Sequence, residues 1–462
     1  SPWPFATQRR PRIRPARTRG PDVTQSQRNP TTVPFSIPTP SPHRLLAPAF
    51  LITPGLAVVS DPSPVPLLLI TLVAAAPGAL QAGWRPHLPK IGAMTLPVLA
   101  LAWAGITLIW TPAPLAGAEI LVRITALVVA GWLLVDLTAD TLHRHTSARV
   151  PIGRAVLGGV VIATAVLAVE LVFDHPIVRT FEWNWTQGGV RDHDTNRGAS
   201  LILILVWIAV PLAIADSRRR IAIPLAVTAL AVTLFLTESA ASQLAAVGGA
   251  AILALGLASA WLRRCAWVLM IAVGVLGMPW LAQVAFDNGL HEADELPRTA
   301  RQRIYIWNYT SEWALDRPLT GWGVDSSEHI GNRGVEPAEG KSNVIPLHPH
   351  NNQLQVWLEL GVLGALLAAL WLSQIARRIE RAPSPQPSWL TATVTTAFII
   401  AGIGYGAWQT HWIASLLWVW VYARAGLAIT THDRSPGGAN YLTSQPRGEA
   451  VGRASGRRAL RE

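Results

Sequence analysis

Apolar stretches recur along the chain from Leu45 to Ile429, and each is roughly 15 to 23 residues long, the length that a helix needs to cross a bilayer. Only 14% of the 462 residues are charged, whereas soluble globular proteins carry about 25%. So few charges cannot make a surface of this size polar, and lipid must cover much of it. The sequence therefore excludes a soluble single-domain enzyme and predicts an all-α integral membrane protein.

About twelve transmembrane helices are predicted. They are expected at 45–60, 65–84, 91–110, 115–137, 151–173, 197–215, 221–236, 241–261, 265–286, 350–372, 389–408 and 411–428. Together they form one polytopic domain, 45–428, between two basic tails, 1–44 and 429–462, whose compositions predict disorder. The tails supply most of the net charge of +11, so anionic membrane lipids are favoured as their partners over nucleic acid.

The positive charges orient these helices. With the N-terminus in the cytoplasm, the short inner loops hold thirteen Arg or Lys and the short outer loops hold two. The even number of spans then places both termini in the cytoplasm, as expected for a polytopic inner-membrane type of protein. Two long loops, 174–196 and 287–349, are expected on the outer side of the membrane, and the second separates spans nine and ten. A loop of that length is usually functional.

A polar segment at the end of the large loop runs directly into the tenth predicted span. Pro349 suits the first turn of a helix and Asn351 suits its N-cap, which places His350 at the outer membrane surface. Free N–H groups and the helix dipole favour a phosphate at such a position. Pro349 is expected to direct His348 away from the helix axis, so His348 should matter less than His350.

Further along the same span, Asn352, Gln355 and Glu359 share one helical face. Because a carboxylate in a bilayer is costly, Glu359 should face the bundle interior or a wet cavity. The alternative is that this polar stripe only hydrogen-bonds a neighbouring helix.

Arginines in the two outer loops are candidate ligands for a diphosphate, because guanidinium binds phosphate oxygens bidentately. Arg301 and Arg303 precede an aromatic segment that contains Trp307 and Tyr309, and Arg191 lies in the smaller loop. Ion pairs with loop acids are the structural alternative for each arginine.

Two short segments contain residue types that bind metals. The pair His348 and His350 lacks further ligands nearby, and the Asp192-His193-Asp194 segment matches only a three-residue pattern. No metal or cofactor is therefore predicted.

The segment HNNQLQVWLELGVLG, in which His350-Asn351 is followed after nine residues by Gly361 and then by Gly364, resembles the signature of the bacterial O-antigen ligase family. Arg303 and Trp307, followed by Pro318 and Gly321-Trp322-Gly323, resemble the start of that family's large periplasmic loop. The Arg191 loop is similar to its smaller outer loop. The resemblance covers about 187 to 370. One departure is Thr237-Glu238-Ser239-Ala240-Ala241, where relatives often have Ser-Arg.

The resemblance implies a metal-independent, inverting glycosyltransferase. Such an enzyme moves a glycan from undecaprenyl diphosphate to an acceptor sugar, usually on lipid A–core, at the periplasmic face. Arg191 and Arg303 would stabilise the departing diphosphate and His350 would be the base for the acceptor hydroxyl. The closest alternative is an O-antigen or exopolysaccharide polymerase, whose acceptor is a second lipid-linked glycan.

Two other classes remain as alternatives. A metal-dependent polyprenyl-monophosphate-sugar transferase would use Asp192 and Asp194. A transporter or flippase would line its path with Glu119, Arg123, Glu170 and Glu359, but it should not need a loop of this length rich in Arg, His and Trp.

Overall fold

The computed structural model describes residues 41–87, 91–182, 195–215, 219–332, 343–345 and 347–432. Every regular element in those residues is helical, as the sequence predicted. In chain order the α-helices are α1 (Pro42–Val59), α2 (Pro64–Gln81), α3 (Ile91–Thr107), α4 (Pro114–Arg144), α5 (Arg149–Val172), α6 (Pro176–Glu182), α7 (Asn196–Ala215), α8 (Arg219–Leu236), α9 (Ala240–Ala258), α10 (Ala260–Leu269), α11 (Met278–Asp287), α12 (Arg298–Asp316), α13 (Asn352–Glu380), α14 (Gln386–Gly404) and α15 (Thr410–His432).

Helices form within all twelve stretches that were expected to cross the membrane, but not all have the length of a span. In the described part of the chain, nine helices are long and apolar enough. A tenth candidate span arises if the helical segments on either side of Gly277, α10 with its π-helical continuation and α11, are counted as one span bent by 77°. Pro279 in the first turn of α11 and the π-helix at Met270–Leu276 accompany this bend. The apolar helices α3 and α8 are shorter, so twelve spans remain a prediction.

Several helix boundaries differ from the prediction. α4 continues to Arg144 and α13 to Glu380, each several residues beyond the expected end. α1 begins at Pro42 and α15 ends at His432, so helix enters both predicted tails, and residues 1–40 and 433–462 lie outside the described ranges. Both outer loops contain an α-helix, because 174–196 includes α6 and 287–349 includes α12.

α7 forms the centre of the bundle. All its residues from Gly198 to Ala213 are buried, and α1, α5, α8, α14 and α15 pack around it. Gly198 lets it approach the backbone of α1, because a Cβ there would lie 2.8 Å from the Ala57 carbonyl oxygen. By contrast, large apolar side chains such as Leu115 and Phe235 are 87% and 82% exposed on the outside. This inverted distribution is typical of a bundle surrounded by lipid.

Candidate active site

The N-terminus of α13 is the centre of the candidate site. The Asn351 side chain accepts a hydrogen bond from the Leu354 backbone N–H at 2.9 Å, which confirms the predicted N-cap. The expectation for Pro349 was wrong, because this residue precedes the cap and its carbonyl accepts from the Trp307 indole N–H at 2.9 Å. His350, between these two, has a φ of +54°. Non-glycine residues rarely adopt this conformation, and it often marks functional sites.

The environment of His350 keeps its imidazole neutral. One ring nitrogen lies against the backbone carbonyl of Gly404, at the end of α14. Nδ1 is buried and has no hydrogen-bond partner among the described residues, so Nε2 faces that carbonyl. A carbonyl accepts only from N–H, which leaves the lone pair on Nδ1. Burial, followed by the positive charge of Arg303, lowers the pKa of His350 to about 4.

His348 belongs to the same cluster, contrary to the prediction that Pro349 would direct it away. Its ring centroid lies 4.4 Å from that of His350, with the rings edge to face. Its Nδ1 accepts the His350 backbone N–H at 3.1 Å, and its Nε2 lies 2.7 Å from the Gln409 side-chain amide. Burial is the main cause that lowers the pKa of His348 to about 3. This ring therefore supports the backbone that holds His350.

Arg303 lies on α12 and contributes the positive charge that His350 senses. Its side chain is half-buried, and burial lowers its pKa. No described carboxylate lies within ion-pair distance of it. Arg301, in contrast, forms an ion pair with Asp294 at 2.9 Å. Arg191 lies outside the described residues.

A second arginine, which the sequence did not assign to the site, also contributes charge. Arg197, at the start of α7, forms an ion pair with Asp61 at 2.5 Å. Its charge is among those that oppose protonation of His348.

Glu359 is fully buried and holds several outer segments together. Its carboxylate accepts from the Asp325 backbone N–H at 2.7 Å and from the Ser327 hydroxyl at 2.5 Å. It also accepts from the Gln355 amide at 2.8 Å and from the Trp408 indole at 2.5 Å. Gln355 and Glu359 do share the predicted face. Their other partners, distant in sequence, were not foreseen.

The two glycine-containing motifs contact each other directly. α13 breaks at Gly361, whose φ is +64°. The Trp322 and Gly323 backbone N–H groups donate to the carbonyls of Leu358 and Glu359, each at 2.9 Å. A Cβ on Gly321 would lie 2.7 Å from the Gly361 nitrogen, so both positions require glycine. The nine-residue spacing after His350-Asn351 thus sets where the broken helix meets the large loop.

The remaining predicted residues support this arrangement. Tyr309 is buried and its hydroxyl donates to the Gly331 carbonyl at 2.5 Å, which ties α12 to the loop that follows it. Asn352 is half-buried at the first helical position of α13. In the described part of the chain no three His, Cys, Asp or Glu side chains group as metal ligands would. The Asp192-His193-Asp194 segment lies outside it.

The fold and the site thus define an all-helical, multi-pass membrane protein with a polar His–Arg cluster at one end of the bundle. Residues 225–369 match the family model described as O-antigen ligase. The resemblance indicated by the motifs is thereby confirmed over this segment.

The chain is similar to three rickettsial proteins that are provisionally named polysaccharide ligases. The Rickettsia felis protein is 26% identical over 345 residues, which are 73% of this chain and 82% of the relative. The Rickettsia conorii protein is 26% identical over 59% of this chain and 66% of its own length. The Rickettsia prowazekii protein is 29% identical over 49% of this chain and 57% of its own length. The chain therefore spans between about half and four fifths of these relatives.

Proposed function

We propose that the protein is an O-antigen ligase-like glycosyltransferase of the bacterial inner membrane. In this proposal it transfers a polysaccharide from undecaprenyl diphosphate to a hydroxyl of an acceptor sugar on lipid A–core. Both termini are cytoplasmic and the reaction occurs at the periplasmic face. The observation that carries the proposal is the Nδ1 of His350, which has no hydrogen-bond partner among the described residues and senses the charge of Arg303, a cation without a described carboxylate partner.

The reaction we propose is a single in-line displacement. The acceptor oxygen attacks the anomeric carbon while its proton passes to His350 Nδ1, which substrate binding must first expose because it is buried in the free protein, and the bond from that carbon to the diphosphate oxygen breaks. Undecaprenyl diphosphate leaves with the bonding electrons, and the imidazolium later returns its proton to water. One displacement inverts the anomeric configuration. Since the lipid diphosphate is already a good leaving group, the site needs a base and charge stabilisation more than a general acid.

Arg303 supplies the charge stabilisation in this scheme, together with Arg191 from the smaller loop. Because it has no ion-pair partner among the described residues, Arg303 is available to a diphosphate, whereas Arg301 would first have to leave Asp294. The free N–H groups at the start of α13 favour the same anion. The bound diphosphate offsets the charge of Arg303 and thereby raises the pKa of His350, which makes it a better base once the donor is in place.

A polymerase is the second candidate, because it would use the same donor and the same base. The departure at 237–241, where the family's frequent arginine is absent, leaves both subgroups, ligase and polymerase, open. The transporter alternative loses support from three of its four residues. Glu170 accepts backbone N–H groups of Ile177 and Val178, and Glu119 pairs with Arg123 on an exposed face.

The deciding experiment supplies purified protein in liposomes with an undecaprenyl diphosphate-linked glycan and offers two acceptors. Transfer to lipid A–core is expected, with no lengthening of the lipid-linked glycan. Lengthening without transfer to lipid A–core would instead identify a polymerase. If neither product forms at normal protein abundance, the proposed chemistry is wrong. Transfer that requires a divalent cation would support the metal-dependent alternative.

A further inference from the structure

A cavity of about 70 Å³ lies at the end of the bundle opposite to the candidate active site. It is lined by the start of α5 and by the ends of α7 and α15. The active-site cluster lies near the other end of α7, and a helix of 20 residues spans about 30 Å. On the topology expected from charge, the cavity therefore opens at the cytoplasmic surface.

Two arginines line this cavity without carboxylate partners among the described residues, Arg149 and Arg154. The Nε of Arg149 donates to the Leu142 carbonyl at 3.1 Å, which fixes the guanidinium in place. Its Nη1 is buried and has no described hydrogen-bond partner. A buried, unpaired guanidinium nitrogen is costly, so its position beside an open volume indicates that an anion completes the site.

The rest of the lining is apolar, with Leu157, Leu212 and Ile429 contributed by three different helices. Val150, also in the lining, is 51% exposed on the outside of the bundle. A free inorganic anion gains nothing from such walls, whereas a lipid places its phosphate against the arginines and its acyl chains along the apolar side chains.

We propose that this cavity binds the phosphate headgroup of an anionic membrane lipid, with Arg149 and Arg154 as its ligands. Such a lipid would hold α5 against α7 and α15 at the cytoplasmic end of the bundle. The site is separate from the proposed transfer chemistry, and it can be tested without a glycan donor.

The test measures thermal unfolding of the delipidated full chain in detergent during titration with phosphatidylglycerol, phosphatidylcholine or inorganic phosphate. We expect phosphatidylglycerol to raise the unfolding midpoint and the other two to raise it little. Replacing Arg154 alone (Arg154→Gln), or both arginines, should weaken the apparent affinity for phosphatidylglycerol roughly ten-fold or more, because charge-assisted contacts to phosphate are lost. Arg154→Gln carries the test if loss of the Arg149 anchor impairs folding.

The matched control is the double variant Arg377→Gln/Arg378→Gln. It removes two exposed arginines from the last turn of α13, which is expected on the same side of the membrane. This control should bind phosphatidylglycerol like the unmodified chain. Equal loss in the control would show a general charge effect and overturn the site. Equal stabilisation by phosphatidylcholine, or by inorganic phosphate alone, would also overturn the proposal that the ligand is an anionic lipid.

Discussion

His350 combines two properties that oppose each other in a general base. Its low pKa guarantees a neutral ring with a free lone pair at Nδ1, but a base of low pKa holds a proton weakly. Burial and the charge of Arg303 cause the low pKa, and only the second of these can be offset by a ligand. A donor diphosphate bound at Arg303 would therefore strengthen the base at the moment when it is needed.

The pH dependence of transfer should reflect this environment. His350 must be neutral to accept a proton, so kcat/KM is expected to fall only as the pH drops through about 4. Replacing the neighbouring charge (Arg303→Gln) should move this acid limb to higher pH, because a neutral neighbour no longer opposes protonation. Arg303→Lys keeps the charge and is the control, with the limb unmoved. An acid limb near pH 6.5 in the unmodified protein would contradict the proposed environment.

At the scale of elements, the contact between the broken α13 and the large loop determines the geometry of the site. Gly361→Ala should destabilise the protein by about 1–3 kcal/mol or more, because it adds backbone strain and brings a Cβ to 2.5 Å from the Leu319 carbonyl oxygen. The measurement is the thermal unfolding midpoint in detergent. Gly289→Ala is the control, since Gly289 also has a positive φ but its Cβ would meet open space. Equal effects would show that the close contact adds nothing.

Glu359 joins three outer segments through its four donors. In Glu359→Gln one oxygen becomes an NH₂ group that faces donors, so buried hydrogen bonds are lost at about 1–3 kcal/mol. Hydrogen exchange of the segment that contains Asp325 and Ser327 should become faster. Glu119→Gln, which removes a carboxylate from an exposed i, i+4 pair, should leave that exchange unchanged. Unchanged exchange in the Glu359 variant would refute its role in joining these segments.

Local sequence patterns predicted the structural features that depend on residues close together in the chain. The Asn351 cap and the shared face of Gln355 and Glu359 follow from helical spacing alone. The other three partners of Glu359 come from residues 32 to 49 positions away, and no local pattern indicates them. Likewise, Gly277 and Pro279 end a π-helical turn with a bend that hydropathy does not reveal. The loop helix α12 was missed because its polar composition resembles that of a loop.

At the scale of the whole molecule, topology can be tested with single cysteines, since Cys265 is the sole cysteine of the chain. In a Cys265→Ser background, Gly331→Cys should react with a membrane-impermeant maleimide in cells whose outer membrane alone is permeabilised. Arg381→Cys, after the last helical residue of α13, should react only once the inner membrane is opened. The thirteen-to-two distribution of basic residues motivates this expectation. Labelling of both positions from the same side would refute the predicted orientation.

The central claim is that His350 takes the proton of the acceptor hydroxyl, and purified His350→Ala tests it most directly. Transfer of the lipid-linked glycan should fall by roughly 10²–10⁴-fold, while donor binding stays near normal because Arg303 remains. His329→Ala, which removes an exposed histidine from the large loop, should retain full transfer. If His350→Ala kept near-normal transfer, or lost donor binding and nothing else, His350 would not be the general base.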